Sequence, residues 1–396
     1  MIDRLRRAFN ATWSEAAYED LKARLSAEAG CPISFRVCET PVFLPGELRD
    51  AMVKGALEIF GELLRPESLE RSKEAVPPEF DVPGSDAHPL FAQVDFAVAR
   101  EDGRLVPRLI ELQGFPSLYC FQFVHSRLLR DRMRGAEDLG FLLSGLDEEG
   151  YLRALGEAIL GGVPAAHVVL LDLDPPGQNT YPDFKVTERL FGIRAVSATE
   201  ITKRGRELWY DRDGKPTRVL RVYNRLIVDE VVAKGVGLPF DFREPLDVQW
   251  AGHPNWFFRW SKHSLPGLRH PLVPEARLLS EMDTVPRDLG SWVLKPLFSF
   301  SGTGVQVEVT PADVERVPAG ERAQTMLMRK VDYAPAIVSP TGESSRVEIR
   351  IMFLWREGKP VPVTTLARLS QGAMMGVKYN KDKTWVGSSG CLWPRA

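Results

Sequence analysis

The chain of 396 residues is too long for one hydrophobic core of ordinary size, so two or three packed subdomains are expected. Its 44% hydrophobic and 26% charged residues are typical of a soluble globular protein. The 51 basic and 53 acidic residues nearly cancel, which argues against a surface that follows nucleic-acid phosphates or a polybasic membrane patch, although a local basic cleft stays open. We therefore expect neither nucleic acid nor a membrane as a partner.

The cysteines and the N-terminal residues predict a cytoplasmic protein. The four cysteines are scattered without a CxxC pair, so reduced thiols are expected instead of disulfides or a zinc site. No apolar run approaches the length that spans a membrane. The first residues, "MIDRLRRAFNATW", are basic but lack the apolar stretch of a signal peptide.

The first third of the chain predicts helices followed by a hairpin. Helical apolar spacing covers 3–28 and 46–65, and a proline-rich connector follows. The segments "FAQVDFAVA" and "LVPRLIELQ" predict strands on either side of the turn "REDGR". Further helices are expected over 119–135 and 147–160.

A small α/β unit is expected over residues 163–247. The apolar run "HVVLLDLD" is typical of a buried parallel strand, and the loop "PPGQNT" after it lies where such folds bind ligands. In "RVLRVYNRLIVDE", Arg221, Tyr223 and Arg225 alternate and so share one face. Two guanidiniums with a phenol suit a carboxylate substrate, and a solvated strand face is the alternative.

The last third predicts mostly antiparallel strands, as in an α+β lobe. The predicted strands there are "SWVLKPLF", "GVQVEVT", "QTMLMRKVDY", "SRVEIRIMFLW" and "PVPVTTLARLS". In "SWVLKPLFSFSGTGVQVEVT", Lys295 leaves a strand beside a serine-glycine loop, and glycines let backbone amides approach an oxyanion. The segment predicts a phosphate site, with a plain hairpin and a solvated lysine as the alternative. It is not a Walker A loop, because GKS or GKT is missing.

Glu111 and Gln113 stand two residues apart in the apolar strand "RLIELQ", so both side chains leave the same face. A carboxylate beside an amide oxygen offers ligands to magnesium. The alternative is an edge-strand charge next to a polar strand end.

Taken in order, these motifs resemble the ATP-grasp superfamily, which clamps ATP between two α+β lobes. The resemblance implies that Lys262 in "WFFRWSKHSLPG" is a second phosphate lysine and that the backbone of "TMLMRKV" holds adenine. The residues that it places around ATP are Lys262, Lys295, Ser301, Gly302, Thr303, Gly304, Met328, Lys330, Val331, Glu348 and Asn380. Arg350 and Arg368 are its candidates for catalysis.

In the usual ATP-grasp order, an aspartate and a Glu-x-Asn pair follow these segments and bind magnesium. Here the matching block, with Asp95, Glu111 and Gln113, lies upstream, as in the circularly permuted glutathionylspermidine synthetase-like proteins. Glutamine replaces the family's asparagine at position 113, which puts the metal number in doubt. The fold expected is a circularly permuted ATP-grasp of mixed α+β and α/β class with an inserted small α/β domain.

The resemblance divides the chain into four parts. Residues 1–162 hold N-terminal helices and the metal-binding part of the C-lobe, and 163–247 form the α/β substrate-side domain. Residues 248–332 form the N-lobe with the phosphate lysines, and 333–396 complete the C-lobe.

The activity that the resemblance implies is an ADP-forming ligase that joins a carboxylate to an amine, or to a thiol, through an acylphosphate. Its cofactors would be ATP with one or two Mg²⁺ ions, Mn²⁺ being the substitute. An amino acid, a peptide or a polyamine would be the substrate. A kinase that uses the same clamp and a non-catalytic nucleotide-binding regulator are the alternatives. No amidase domain is expected.

Overall fold

The computed structural model describes residues 1–133, 138–298, 304–372, 374–375 and 380–395. The helices, in chain order, are α1 Asp3–Thr12, α2 Glu15–Ala29, α3 Gly46–Leu63, α4 Pro66–Lys73, α5 Tyr119–Asp131, α6 Glu148–Leu160, α7 Tyr181–Phe191, α8 Val228–Lys234, α9 Trp256–Arg259 and α10 Pro311–Glu315. Among these residues no helix is both long and apolar enough to cross a bilayer.

The strands form several separate sheets. In chain order they are β1 Val42–Phe43, β2 Phe91–Glu101, β3 Arg104–Gln113, β4 Leu139–Gly140, β5 Val168–Asp172, β6 Arg194–Ser197, β7 Thr202–Arg204, β8 Glu207–Arg212, β9 Lys215–Val219, β10 Arg221–Asn224, β11 Gln249–Ala251, β12 Ala276–Leu278, β13 Trp292–Pro296, β14 Thr325–Arg329, β15 Pro335–Val338, β16 Ser344–Arg356, β17 Lys359–Ser370, β18 Gly387–Ser389 and β19 Cys391–Pro394.

The largest sheet joins the early hairpin to the last third of the chain. Its order is β18-β17-β16-β2-β3, and β15 pairs with the beginning of β16. All of these pairings are antiparallel. One face of β2 carries Val94 and Phe96 into the core, and the alternate residues Gln93 and Asp95 point to the opposite face. This sheet therefore has one apolar face and one face that carries a polar row.

The hairpin β2–β3 is confirmed, and its turn has the backbone that its sequence favours. Asp102 and Gly103 both have positive φ, 48° and 78°, as a two-residue hairpin turn of the I′ kind requires. Further along, the pairing shifts so that Asp95 faces Glu111 while Phe96 faces Leu109. Ile110 is the extra residue of a β-bulge, and such bulges redirect the side chains that follow them.

A smaller antiparallel sheet, of order β12-β14-β13, carries Lys295. The segment "GVQVEVT" was predicted as a strand, but within the described residues it contributes one bridge, between Leu294 and Gln306. Both backbone hydrogen bonds of that bridge are present, at 3.0 and 2.9 Å. The polypeptide after Gln306 then turns away into α10, whose capping box is formed by Thr310 and Asp313.

The α/β unit contains the parallel sheet β11-β10-β5-β6 and a three-stranded meander, β7-β8-β9. Parallel pairing of β5 with β6 and β10 agrees with the continuous apolar run of residues 168–171, which is wholly buried. Strand order reverses between β5 and β10, so the carboxyl ends of these two strands lie at the crevice of the sheet.

A buried ion pair within this unit holds the carboxylate that contacts the segment after β3. Arg225 Nη1 donates to Asp183 Oδ2 at 2.7 Å, and both side chains are less than 5% exposed. The Asp183 carboxylate also accepts from the amides of Leu118, Cys120 and Phe121, at 2.9–3.1 Å, and so caps the N-terminus of α5. One carboxylate thus links α5 to the α/β unit, beside the apolar cluster that the two share.

Replacing Arg225 with leucine should lower the free energy of unfolding by about 3–5 kcal/mol, because Asp183 would remain as a buried carboxylate without its guanidinium. Chemical denaturation followed by circular dichroism measures the change. Arg194→Leu is the matched control, since its partner Asp213 is exposed and surface pairs contribute less than about 1 kcal/mol. Equal losses in the two variants would contradict the assignment.

Candidate functional site

Strand register places a row of charged side chains on the polar face of the large sheet. Asp95 on β2 lies opposite Arg350 on β16 and opposite Glu111 on β3. Glu348, two residues before Arg350 on β16, lies opposite Arg368 on β17. Directly paired side chains on one face of antiparallel strands are about 5 Å apart at Cβ, so each of these opposed pairs is within contact range.

Asp95 is held by both arginines. Its Oδ1 accepts from Arg350 Nε at 2.5 Å, and its Oδ2 accepts from Arg350 Nη2 at 2.7 Å and also from Arg368 Nη2. The carboxylate is only 1% exposed. Burial alone would raise the pKa of Asp95, but the charges of Arg350 and Arg368 outweigh burial and hold that pKa below its usual value.

Two glutamines complete the shell around Arg350. Gln93 Oε1 accepts from Arg350 Nη1 at 2.7 Å, while Gln93 Nε2 donates to Ser117 O at 2.7 Å. With its amide oriented to satisfy hydrogen bonding, the Gln113 oxygen accepts from Arg350 Nη2 at 2.7 Å. Arg350 is 7% exposed, so its guanidinium sits beneath the surface with its donors directed at fixed acceptors.

Glu348 forms the other end of the row. Its carboxylate accepts from Arg368 Nη2 and, at 3.0 Å, from the hydroxyl of Tyr333. Burial raises the pKa of Glu348, and the charge of Arg368 opposes that shift. Tyr333 lies between β14 and β15, where the chain passes from the small sheet to the large one. The hydrogen bond between Tyr333 and Glu348 therefore connects the segment between β14 and β15 to strand β16.

Two lysines, Lys262 and Lys295, lie close to the row of charged side chains on the large sheet. Lys262 Nζ lies 4.0 Å from Glu111 Oε2. Lys295 Nζ, on the small sheet, donates to Ile110 O at 3.4 Å and contacts Met328 Sδ at 3.3 Å. Because Ile110 is the bulged residue, the irregularity that redirects Glu111 also supplies a carbonyl to Lys295. The sequence-predicted acidic groups and lysines are thus brought together in space.

Burial perturbs both lysines. Desolvation lowers the pKa of Lys295 to about 8, although the negative charge of Glu111 opposes the shift. Burial also lowers the pKa of Lys262, again opposed by Glu111. Because desolvation disfavours the charged form of each lysine, an anion that enters the site would stabilise both ammonium groups.

The predicted phosphate loop is described at one of its residues. Ser301, Gly302 and Thr303 lie outside the described residues. Gly304 has φ of +72°, and a Cβ built there would lie 2.8 Å from Pro296 Cγ. Position 304 therefore needs glycine, because its backbone lies tightly against Pro296 at the end of β13.

The predicted adenine segment connects the two sheets. Met328 is buried and faces Lys295, as described above, and Val331 is half-buried. The backbone amide of Lys330 donates to Ser291 O at 2.9 Å, and its side chain donates to Val307 O at 3.2 Å. Since that amide already has an acceptor, it is less suited to an adenine nitrogen than the sequence predicted.

Asn380 organises the loop that follows the strand of Arg368. Its Oδ1 accepts from the amides of Gln371 and Gly372, at 2.9 and 3.0 Å, and its Nδ2 donates to Met374 O at 3.0 Å. These contacts give Asn380 a role in shaping the loop beside the charged row.

The three residues predicted for substrate do not form one open face. Arg221 donates to Ala158 O and Ile159 O, both at 2.9 Å, at the C-terminus of α6. Tyr223 is wholly buried against Phe91, and Arg225 is buried in its ion pair with Asp183. The alternation of these residues along the strand is present, but their contacts hold the sheet to neighbouring helices.

Two residues of the site were missed by the sequence analysis. Gln93 stands two positions before Asp95, so the period of two that linked Glu111 with Gln113 also indicates it. Tyr333 lies in a connecting segment without periodicity, and no signal in the sequence points to its contact with Glu348.

The charged cluster, which we define as Asp95, Glu111, Glu348, Lys262, Lys295, Arg350 and Arg368, suits a polyanion better than a bare metal ion. Among the described residues, no group of three or more acidic, histidine or cysteine side chains is arranged to hold a metal. Glu111 differs from Asp95 and Glu348, since its side chain is 27% exposed and its nearest cations, Lys262 and Arg350, are at 4.0 and 3.9 Å. Glu111 therefore fits a magnesium ion whose other ligands come from phosphate oxygens and water.

The fold and the cluster define an α+β protein with a charged site between two antiparallel sheets. Its structure is similar to that of a glutathione synthetase-like effector from Globodera pallida in its apo form, with a TM-score of 0.59 over 96% of each chain. The sequence identity is 13%, so the likeness concerns the fold. No family model matches the chain, and no curated protein matches it. The chain thus has a glutathione synthetase-like fold.

The affinity of this site for a phosphate polyanion, with ATP as the probe, should fall as the pH rises above about 8, because Lys295 has a pKa of about 8 and must be protonated to neutralise a phosphate. The fall should approach about tenfold per pH unit, with Lys262 acting in the same direction. Calorimetric titration with ATP from about pH 7 to pH 9.5 measures it.

Lys295→Arg is the control for this pH dependence, because a guanidinium stays protonated over the whole range. The affinity of the variant for the same probe should depend less on pH. An identical decline in the variant and the parent protein would assign the dependence to another group.

Proposed function

We propose that the protein is an ATP-dependent ligase that activates a carboxylate as an acylphosphate and transfers the acyl group to an amine. The observation that carries the proposal is the convergence of Lys262 and Lys295 on Glu111, from parts of the chain more than 150 residues apart. The glutathione synthetase-like fold of the neighbouring structure supports the same class.

In the proposed complex the triphosphate lies between the small sheet and the polar row. Lys262 and Lys295 neutralise phosphate oxygens, and their partial burial strengthens each contact because water screens it less. Phosphoryl transfer needs positioning and charge stabilisation more than covalent help from the protein. The site offers positioning and charge stabilisation, because its cations are held in place by neighbouring residues.

Arg368 is the proposed catalytic arginine. Its side chain is 35% exposed, whereas that of Arg350 is 8% exposed and enclosed by Asp95 and Gln93. Burial would lower the pKa of Arg368, but Glu348 and Asp95 raise it, so the guanidinium remains a cation. Arg368 can therefore present donors to an oxyanion that develops at the transferred group, while Arg350 fixes the carboxylate behind it.

A divalent ion fits at Glu111. When bound there, it would supply charge neutralisation between neighbouring phosphates. Glu111 would hold the ion, and Lys262 beside Glu111 would orient the phosphates. Asp95 and Gln113, the other expected ligands, have their oxygens directed at arginines.

The chain order supports a circularly permuted ATP-grasp. Strands β2 and β3 come early in the chain, yet they extend the sheet formed by β16 and β17. The α/β unit lies between these two groups in sequence and packs through α7 against α5, the helix that follows β3. We propose that this unit is the inserted substrate-side domain, with its crevice at the carboxyl ends of β5 and β10.

Glu111→Gln should abolish magnesium-dependent ATP turnover and leave the fold intact, because the substitution removes a half-exposed charge without changing the shape of the strand. ADP release measured across amino acids, short peptides and polyamines identifies the substrate and gives the parent rate. Glu101→Gln on the same hairpin is the control, since Glu101 is exposed and pairs with Arg108 away from the charged cluster.

The products separate the ligase from other uses of the fold. ADP with free phosphate and a new amide supports the proposal, and a phosphorylated acceptor would indicate a kinase. Retained ATP binding without turnover on any acceptor would indicate a non-catalytic nucleotide-binding protein. Full turnover by the Glu111→Gln variant would end the assignment of this residue.

Arg368→Lys should reduce kcat by about 100- to 1,000-fold, because lysine cannot both keep the bonds to Asp95 and Glu348 and reach an oxyanion. Steady-state kinetics under saturating ATP measure the change. Arg356→Lys on β16 is the control, since Arg356 pairs with an exposed glutamate. A reduction confined to KM would instead give Arg368 a binding role.

A further inference from the structure

The oxygens of Asp95 are already committed within the protein. One oxygen accepts from Arg350 Nε, and the other accepts from Arg350 Nη2 and Arg368 Nη2. A magnesium ion needs its oxygen ligands at about 2.1 Å in near-octahedral geometry. To ligate an ion, this 1% exposed carboxylate would have to release a two-pronged guanidinium bond inside the protein, with the two positive charges left beside the new ion.

The amide oxygens near Asp95 serve the same arginine. Gln93 and Gln113 are paired across β2 and β3, and both direct an oxygen at Arg350. Arg350 therefore collects an aspartate and two amides, which is a ligand set of the kind that a divalent ion takes in other sites. A buried guanidinium stands where a metal bound by Asp95 and Gln113 would have to be.

Among the described residues, Glu111 has no lysine or arginine within hydrogen-bond distance, and its side chain lies within hydrogen-bonding reach of Asp95. Its distances to Arg350 Nη2 and Lys262 Nζ are 3.9 and 4.0 Å, which are ion-pair distances longer than a hydrogen bond. Its side chain is also the most accessible of the three carboxylates in the charged cluster, those of Asp95 and Glu348 being 1% and 5% exposed.

We infer that Asp95 positions Arg350 and Arg368 and ligates no metal, so that the site takes a single divalent ion, held by Glu111 and the nucleotide. This inference rests on the proposed nucleotide site. Arg350 is the fixed cation that takes the place of a second ion. Arg368 is then oriented by Asp95 and Glu348 together, and the position of the catalytic candidate depends on a carboxylate that never touches the phosphates.

The test counts Mn²⁺ ions, as paramagnetic substitutes for Mg²⁺, by electron paramagnetic resonance with a non-hydrolysable ATP analogue present. We expect one Mn²⁺ per chain. Glu111→Gln should weaken its binding by at least about tenfold, and Asp95→Asn should leave its affinity within about threefold of the parent value. Two ions per chain, or equal losses in the two variants, would overturn the inference.

Arg350→Met provides a second test if Asp95→Asn does not fold. Without the guanidinium, Asp95 and Gln113 become available, and we expect a second Mn²⁺ to bind. An unchanged ion count would overturn the inference, because it would mean that Arg350 does not prevent a second ion from binding.

The proposed function is tested separately by the analogue alone. If the parent protein does not bind the ATP analogue with or without Mn²⁺, the nucleotide site itself is wrong. If it binds the analogue and Asp95→Asn loses the metal as Glu111→Gln does, only the inference about Asp95 fails.

Discussion

The bidentate contact between Asp95 and Arg350 is the interaction on which the arrangement of the site depends. Its two residues are 255 positions apart and meet only because β2 pairs with β16. Arg368 joins the same carboxylate from the next strand. A buried acid with two guanidiniums is stable only when all three are placed accurately, since a lone charge in that position would be expensive to desolvate. The pairing register of the sheet therefore determines the geometry of the site.

Burial and charge act together on the lysines. Four cations and three carboxylates occupy the charged cluster, and the carboxylates Asp95 and Glu348 are turned towards the arginines. Lys295 is left with a backbone carbonyl and a thioether as its nearest partners, and burial lowers its pKa to about 8. An incoming polyanion would stabilise the charged form of Lys295, whereas the arginines are already paired with Asp95 and Glu348.

Local patterns predicted much of this architecture. Alternation identified both strands of the early hairpin, Asp-Gly identified its turn, and the period of two placed Glu111 and Gln113 on one face. The same rule placed Arg221, Tyr223 and Arg225 on one face of β10. It could not say what lies opposite that face, and the answer, the end of α6 and the Asp183 carboxylate, comes from residues 42 or more positions away.

The features of the site that the sequence did not predict depend on irregular backbone and on contacts between residues far apart in the chain. The bulge at Ile110 has no residue signature of its own, yet it sets which side chains of β3 face the site and which carbonyl meets Lys295. The contact of Tyr333 with Glu348 depends on the course of a connection that carries no periodic pattern. Such features depend on how the two sheets are joined. The sequence pattern of a single strand does not contain that information.

The glutamine at position 113 gains a physical meaning from its neighbours. The resemblance expected asparagine there, as a ligand of a metal ion. Glutamine is one methylene longer, and its oxygen reaches the guanidinium of Arg350, as that of Gln93 does from the opposite strand. The longer side chain thus agrees with a site in which an arginine, fixed by an aspartate and two glutamines, occupies the place of one cation.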